Sequence, residues 1–177
     1  MMFFEQSGAA PGLSVELKAL LLGETRLTVA AAESLTTGRV QALLGAVSGS
    51  SEYFLGGITA YSLEQKVKHL AVDRATARKV NSVSSDVAEQ MARGVCSLFG
   101  SDLGLATTGY AERSPADGVV EPFAFWALAH RATRGAKFVA IRSGRVECPG
   151  AKRAEAQQMV AEAVVAELVA YLLEWRG

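Results

Sequence analysis

The sequence predicts an α/β fold, a three-layer α/β/α sandwich on a mixed, mainly parallel sheet. Short apolar runs alternate with segments of helical period along most of the chain, and turn-rich breaks separate them. Late in the sequence two strand-like runs follow one another directly, which places an antiparallel member in the sheet. At 177 residues, 50% hydrophobic and 20% charged, the chain is long enough for one full core and short for two.

The elements follow in order. Residues 1–12, "MMFFEQSGAAPG", read as a flexible lead-in, and 13–177 as a single domain. "LSVELKALLLG" (13–23) places leucines on one helical face and stops at a glycine. "RLTVAAAES" reads as a buried strand and "LTTGRVQALLGAV" as the helix after it. "SGSSE" (48–52) is a turn-rich break, and "YFLGGITAYS" is strand-like with a Gly56-Gly57 pair that hints at a bulge or a close backbone approach.

"LEQKVKHL" (63–70) and "DRATARKV" (73–80) are short helices. In "SVSSDVAEQMARGVCSLFG", Val87, Met91, Val95 and Leu98 keep a helical period, and Ser84 or Ser85 can cap it. "DLGLATTGY" (102–110) is a strand ending in a Thr-Thr-Gly turn, and "AERSPADGVVEP" is a loop. "FAFWALAHR" and "AKFVAIRSG" form a strand pair joined near Gly135, and an Ala-rich helix closes the chain with Val160, Val164, Leu168, Tyr171 and Trp175 near one stripe.

Composition narrows the function. Lys plus Arg and Asp plus Glu number 18 each, so no basic excess exists to meet a phosphate backbone, and a nucleic-acid partner is not expected. Cys96, Cys148, His69 and His130 show no ligand spacing, so no metal is expected. No apolar run has the length of a membrane span, and Glu5 stands where a signal peptide needs positive charge. A cytoplasmic protein without a membrane partner is the expectation.

In an open α/β sheet, ligands favour the crevice at the carboxyl ends of the strands. Three loops end strands here: "ESLTTG", "AYSLEQK" and "TTGYAERSP". Ser34 is a candidate nucleophile if a base takes its proton, and no Ser-His-acid set offers itself. Lys66 follows Tyr61 by just over one helical turn, so both can face one pocket, with lysine as base and tyrosine as relay or oxyanion donor. The amides opening the helix after Ser34 can hold an oxyanion or a phosphate. The plainer alternatives are specific too. Serine before a helix is a preferred cap, and spacing by itself favours that role. Lysine in "EQKVK" is ordinarily a solvated surface residue, and "TTG" after a strand is ordinarily a turn.

At these residues the sequence resembles the C-terminal domain of the CinA family of competence/damage-inducible proteins. That family carries A-E-S-C-T-G-G, G-S-S, Y-S-N-E-A-K, V-S-x-x-V-A-x-x-M-A and T-G-I-A-G-P. This chain reads "AESLTTG", "SGSSEYFLGG", "AYSLEQKVKHLAV", "VSSDVAEQMARG" and "TTGYAERSP" in the same order. The resemblance implies a three-layer fold, commonly a homo-oligomer, and in active members hydrolysis of the amide of nicotinamide mononucleotide, a small-molecule nucleotide, without cofactor or metal. It implies Ser34 as nucleophile with Tyr61 and Lys66. Glu33, Thr36, Gly38, Thr108, Gly109 and Arg113 are weaker candidates for binding substrate, Arg113 as a replacement phosphate contact.

The departures cluster at the expected pocket. Leu35 and Thr37 stand where the family has cysteine and glycine, and Glu112 stands in place of the second glycine of T-G-I-A-G-P. Glu121 replaces the lysine of the family's K-P-x-G-T-V, Phe123, Ala124 and Phe125 fill the space around its missing glycine, and "GAKR" stands for G-D-R, leaving Lys152 or Arg153 in place of its arginine. Two functions therefore stand beside each other: an amidase for nicotinamide mononucleotide or a related small amide, and a non-catalytic paralogue serving as a binding or regulatory module.

Overall fold

The computed structural model describes residues 11–131 and 138–177. The elements are α1 (Pro11–Leu21), β1 (Val29–Glu33), α2 (Arg39–Gly45), β2 (Phe54–Thr59), α3 (Leu63–Leu70), α4 (Arg74–Lys79), α5 (Ser85–Phe99), β3 (Leu103–Tyr110), β4 (Phe123–Arg131), β5 (Phe138–Glu147) and α6 (Arg153–Arg176). Most of the lead-in expected over 1–12, and the expected join near Gly135, lie outside the described residues. α1 begins at Pro11, the first turn of a helix being where proline's missing N–H costs nothing.

The strands form one sheet in the order β2-β1-β3-β4-β5. β1 pairs in parallel with both β2 and β3, while β4 is antiparallel to β3 and to β5. The sheet is therefore mixed, and β4 is the strand that runs against the rest. After β1 the chain moves to one side for β2 and to the other for β3, so the carboxyl end of β1 is a topological switch point.

Period-two alternation sorts the core into two layers. Val29, Ala31, Leu103, Leu105, Trp126 and Leu128 face α1, α2 and α6. Ala30, Ala32, Ala106, Ala127 and Ala129 face α3, α4 and α5. The second face is lined by small side chains, so α5 lies close to the sheet. Gly104 marks the tightest point, where an added Cβ would stand 2.2 Å from the Ala92 carbonyl oxygen.

Helix starts follow local chemistry. Ser62, Asp73 and Ser84 accept hydrogen bonds from the amides of Gln65, Thr76 and Val87, so Ser84 and not Ser85 is the cap of α5. α6 contains an 18-residue stretch of mean hydropathy 1.3, long and apolar enough to cross a membrane by length and composition, which corrects the expectation that no run has that length. Since 56% of that stretch is buried within the fold, much of its apolarity serves the core. Trp175, at the end of the expected stripe, is exposed and meets the edge of the His130 ring.

One expected boundary is displaced. The helix expected from Leu35 begins only at Arg39, because Thr37 (φ 48°) and Gly38 (φ 98°) take left-handed backbone. Residues 34–37 form a turn whose consequence is the site described below.

Gly104→Ala is expected to destabilise the protein by about 2 kcal/mol, since the backbone of α5 must move to admit a methyl group. Urea denaturation with an unchanged m-value is the check, and an unaltered midpoint would refute the close packing of α5 on β3.

Candidate active site

Ser34 follows the last residue of β1. Alternation sends Glu33 to the α2 layer and Ser34 to the α3–α5 layer. Glu33 is fully buried. Its carboxylate accepts the N–H groups of Gly38 (2.9 Å), Val40 (3.2 Å) and Gln41 (2.9 Å), and the Gln41 side-chain amide at 3.1 Å. The amides that open α2, which the sequence offered as an anion cradle, are thus occupied by the chain's own carboxylate. Glu33 also does the capping that the sequence assigned to Ser34, leaving the serine hydroxyl free for other contacts.

That hydroxyl meets Lys66. Lys66 Nζ lies 2.9 Å from Ser34 Oγ and donates to the Tyr61 carbonyl oxygen at 3.0 Å. Lys66 is 2% exposed and Ser34 7%. Ser62 caps α3 and thereby sets the phase of the helix, which turns Lys66 inward onto the carboxyl end of β1. Burial lowers the Lys66 pKa from 10.5 to about 8, because charge is disfavoured away from water. An appreciable neutral fraction then exists at neutral pH, and a neutral amine against a serine hydroxyl is a base in contact with its nucleophile.

The pair forms the floor of a cavity of about 370 Å³. Tyr61, Thr108, Gly109 and Arg113 line it as well, whereas Glu33, Thr36 and Gly38 do not. Thr36 instead makes a 2.8 Å hydroxyl contact with Thr107 beneath the turn. Thr108 donates to the Ser82 carbonyl at 2.7 Å, fixing one wall. Gly109 pairs with Ala124 in the β3–β4 ladder, where a Cβ would stand 2.3 Å from the Phe123 carbonyl oxygen.

Tyr61 is 54% exposed. Its hydroxyl accepts from Arg153 Nη2 at 2.8 Å, and it is the Tyr61 carbonyl that meets Lys66. Arg153 also donates to Glu112. The Tyr61 hydroxyl contact and then Glu112 hold the guanidinium charged. Arg113 donates to Glu121 at 2.7 Å, and Glu121 takes the Gly150 N–H at 2.8 Å. The Gly150 amide, and then Arg113, hold the Glu121 carboxyl below its usual range. Glu121, Phe123 and Phe125 lie outside the cavity lining, the two rings packing edge to face with the Arg145 guanidinium over Phe123 at 3.9 Å.

Several lining residues were not singled out in sequence. Asn81 and Ser82 both take left-handed backbone (φ 49° and 60°), and Asn81 donates to the Tyr110 hydroxyl at 2.9 Å. Gln157 of α6 donates to the Leu35 carbonyl at 2.7 Å and holds the turn from behind. No local motif announces these roles, since each depends on a loop or helix distant in sequence. Among the described residues, no group of three or more His, Cys, Asp or Glu side chains is placed to hold a metal.

Known proteins resemble this chain in sequence and in fold. A family model described as the CinA C-terminal domain matches residues 13–172. A CinA-like protein of Chlorobium limicola is 38% identical over 157 residues, covering 89% of this chain and 36% of that protein. A CinA-like protein of Picosynechococcus is 47% identical over 91 residues, 51% of this chain and 22% of that protein. The chain thus spans about a third or less of the length of these relatives. A crystal structure of a CinA superfamily protein from Klebsiella pneumoniae has a TM-score of 0.82 at 24% identity, covering 93% of this chain and 98% of that one. One from Escherichia coli has a TM-score of 0.78 at 20% identity, with 95% and 93% covered. At these identities the structures share the fold.

Two outcomes follow from the geometry. Labelling of Ser34 by a fluorophosphonate should rise with pH through a midpoint near 8, as Lys66 loses its proton and becomes able to accept that of Ser34. A pH-independent rate, or one unchanged in Lys66→Met, would show that the two groups are not coupled. Thr37→Gly should raise stability by about 1 kcal/mol by relieving left-handed backbone at a β-branched residue, read as an increase in melting temperature.

Proposed function

The chain belongs to the CinA C-terminal domain family, and we propose that it is a metal-independent amidase that hydrolyses the amide of nicotinamide mononucleotide or a related small carboxamide. The observation that carries this reading is the 2.9 Å contact between Lys66 Nζ and Ser34 Oγ at the base of a cavity, both groups being buried.

Neutral Lys66 accepts the Ser34 proton as Oγ attacks the carboxamide carbon. The carbonyl oxygen takes up the negative charge of the tetrahedral intermediate. The Leu35 N–H lies directly after the nucleophile and has no acceptor among the described residues, so it is a donor for that oxygen. The C–N bond breaks, Lys66 passes its proton to the leaving nitrogen, and ammonia departs. Water then gives a proton to Lys66 and attacks the acyl-serine. The acyl C–O bond breaks, Lys66 returns its proton to Ser34, and the carboxylic acid leaves and gives up its own proton to solvent. One amide and one water give one acid and one ammonia.

Tyr61 has a different place in this scheme from a proton relay. Its carbonyl orients Lys66, while its hydroxyl holds Arg153 at the mouth. Thr108 and Gly109 shape the wall against which the substrate rests.

Ammonia release is the test, with nicotinamide mononucleotide, its nucleoside and a panel of simple carboxamides. Ser34→Ala and Lys66→Ala should each lower turnover by at least about a thousandfold where wild-type protein is active. Activity that survives both substitutions would refute the serine-lysine mechanism. Absence of release across the panel, with Ser34 inert to fluorophosphonate, would favour the non-catalytic binding module instead.

A further inference from the structure

The mouth of the cavity carries two arginines, and each already has a carboxylate. Arg153 Nη1 donates to Glu112 at 2.5 Å while Nη2 donates to the Tyr61 hydroxyl at 2.8 Å. Arg113 donates to Glu121 at 2.7 Å. The remaining cationic group among the described lining residues is Lys66, which sits at the floor against Ser34. Lys152 lines a neighbouring hollow behind the Arg153–Glu112 pair and not this cavity.

Phosphate recognition by arginine depends on a fork free to take two oxygens. Here the Arg153 fork is divided between a carboxylate and a phenol. A phosphate approaching that fork competes with Glu112 for it and lies beside the carboxylate, which sets like charges against each other. The exposed ion pair adds little to stability. Its effect is on what can enter. A neutral or cationic ring brings no anion against Glu112, and Tyr61 and Tyr110 line the cavity with aromatic surface.

Resting on the amidase reading, we infer that the substrate of this chain is a neutral or cationic carboxamide without a phosphomonoester, and that Glu112, by engaging Arg153, sets that preference.

Nicotinamide riboside and nicotinamide mononucleotide carry the same pyridinium carboxamide and differ by one phosphate, so they isolate this effect. Their binding to Ser34→Ala protein is measured by calorimetry, alone and with Glu112→Gln added. The riboside is expected to bind at least about tenfold more tightly than the mononucleotide. Glu112→Gln should improve mononucleotide binding by about tenfold and change riboside binding by less than about twofold. Glu112→Gly, which also removes the carboxylate, should behave the same way and serves if the glutamine variant folds poorly by circular dichroism.

Mononucleotide binding equal to or tighter than riboside binding overturns the inference. So does a parallel change of both ligands in the Glu112 variants, or no binding of either ligand to any of these proteins. Selective riboside binding with no hydrolysis by protein retaining Ser34 would remove the amidase reading and leave the charge selection of Glu112 in place.

Discussion

Everything at the site depends on how β1 ends. Successive residues of a strand point to opposite faces, so Glu33 and Ser34 are committed to different layers. Glu33 turns into the layer of α2 and α6, where its carboxylate takes three amides and closes the start of α2. Ser34 turns into the layer of α3 and α5, where Lys66 waits. The buried carboxylate closes the start of α2 on one face, and on the other face the serine hydroxyl meets Lys66.

The surroundings of that contact are costly. Moving the Lys66 pKa from 10.5 to about 8 corresponds to roughly 3 kcal/mol against burying the charged amine. The penalty is present in full below pH 8, where folded and unfolded chains both hold the proton, and it fades as pH rises towards the unfolded value. Thr37, Asn81 and Ser82 add left-handed backbone in the two loops beside the cavity. The rest of the fold offsets this with close packing of α5 on a face of small residues and with a long α6 that covers the other face.

The floor and the mouth of the cavity differ in how far they were legible in sequence. Ser34, Tyr61 and Lys66 stood in short motifs at strand ends, where fold topology puts ligands, and the structure brings Ser34 and Lys66 into contact there. Glu33, Thr36 and Gly38 stood in the same motif and face away, because a tight turn spreads neighbouring residues over several directions. At the mouth, Arg153 is 41 residues from Glu112 and 92 from Tyr61, and no local pattern indicates that they meet. Asn81 and Gln157 likewise bond to residues distant in sequence, Tyr110 and Leu35.

The sequence by itself determined the fold class, the two-layered core and the motifs holding Ser34 and Lys66, because these follow from periodicity and from residue types at short spacing. It also marked Leu35, Thr37, Glu112 and Glu121 as departures from the family pattern. What each departure does was decided only in three dimensions. Thr37 became a strained turn, Leu35 a carbonyl anchored by α6, and the two glutamates became partners that occupy the arginines of the mouth. Charge pairing depends on distance in space, and a chain of 177 residues brings together groups that its sequence keeps far apart.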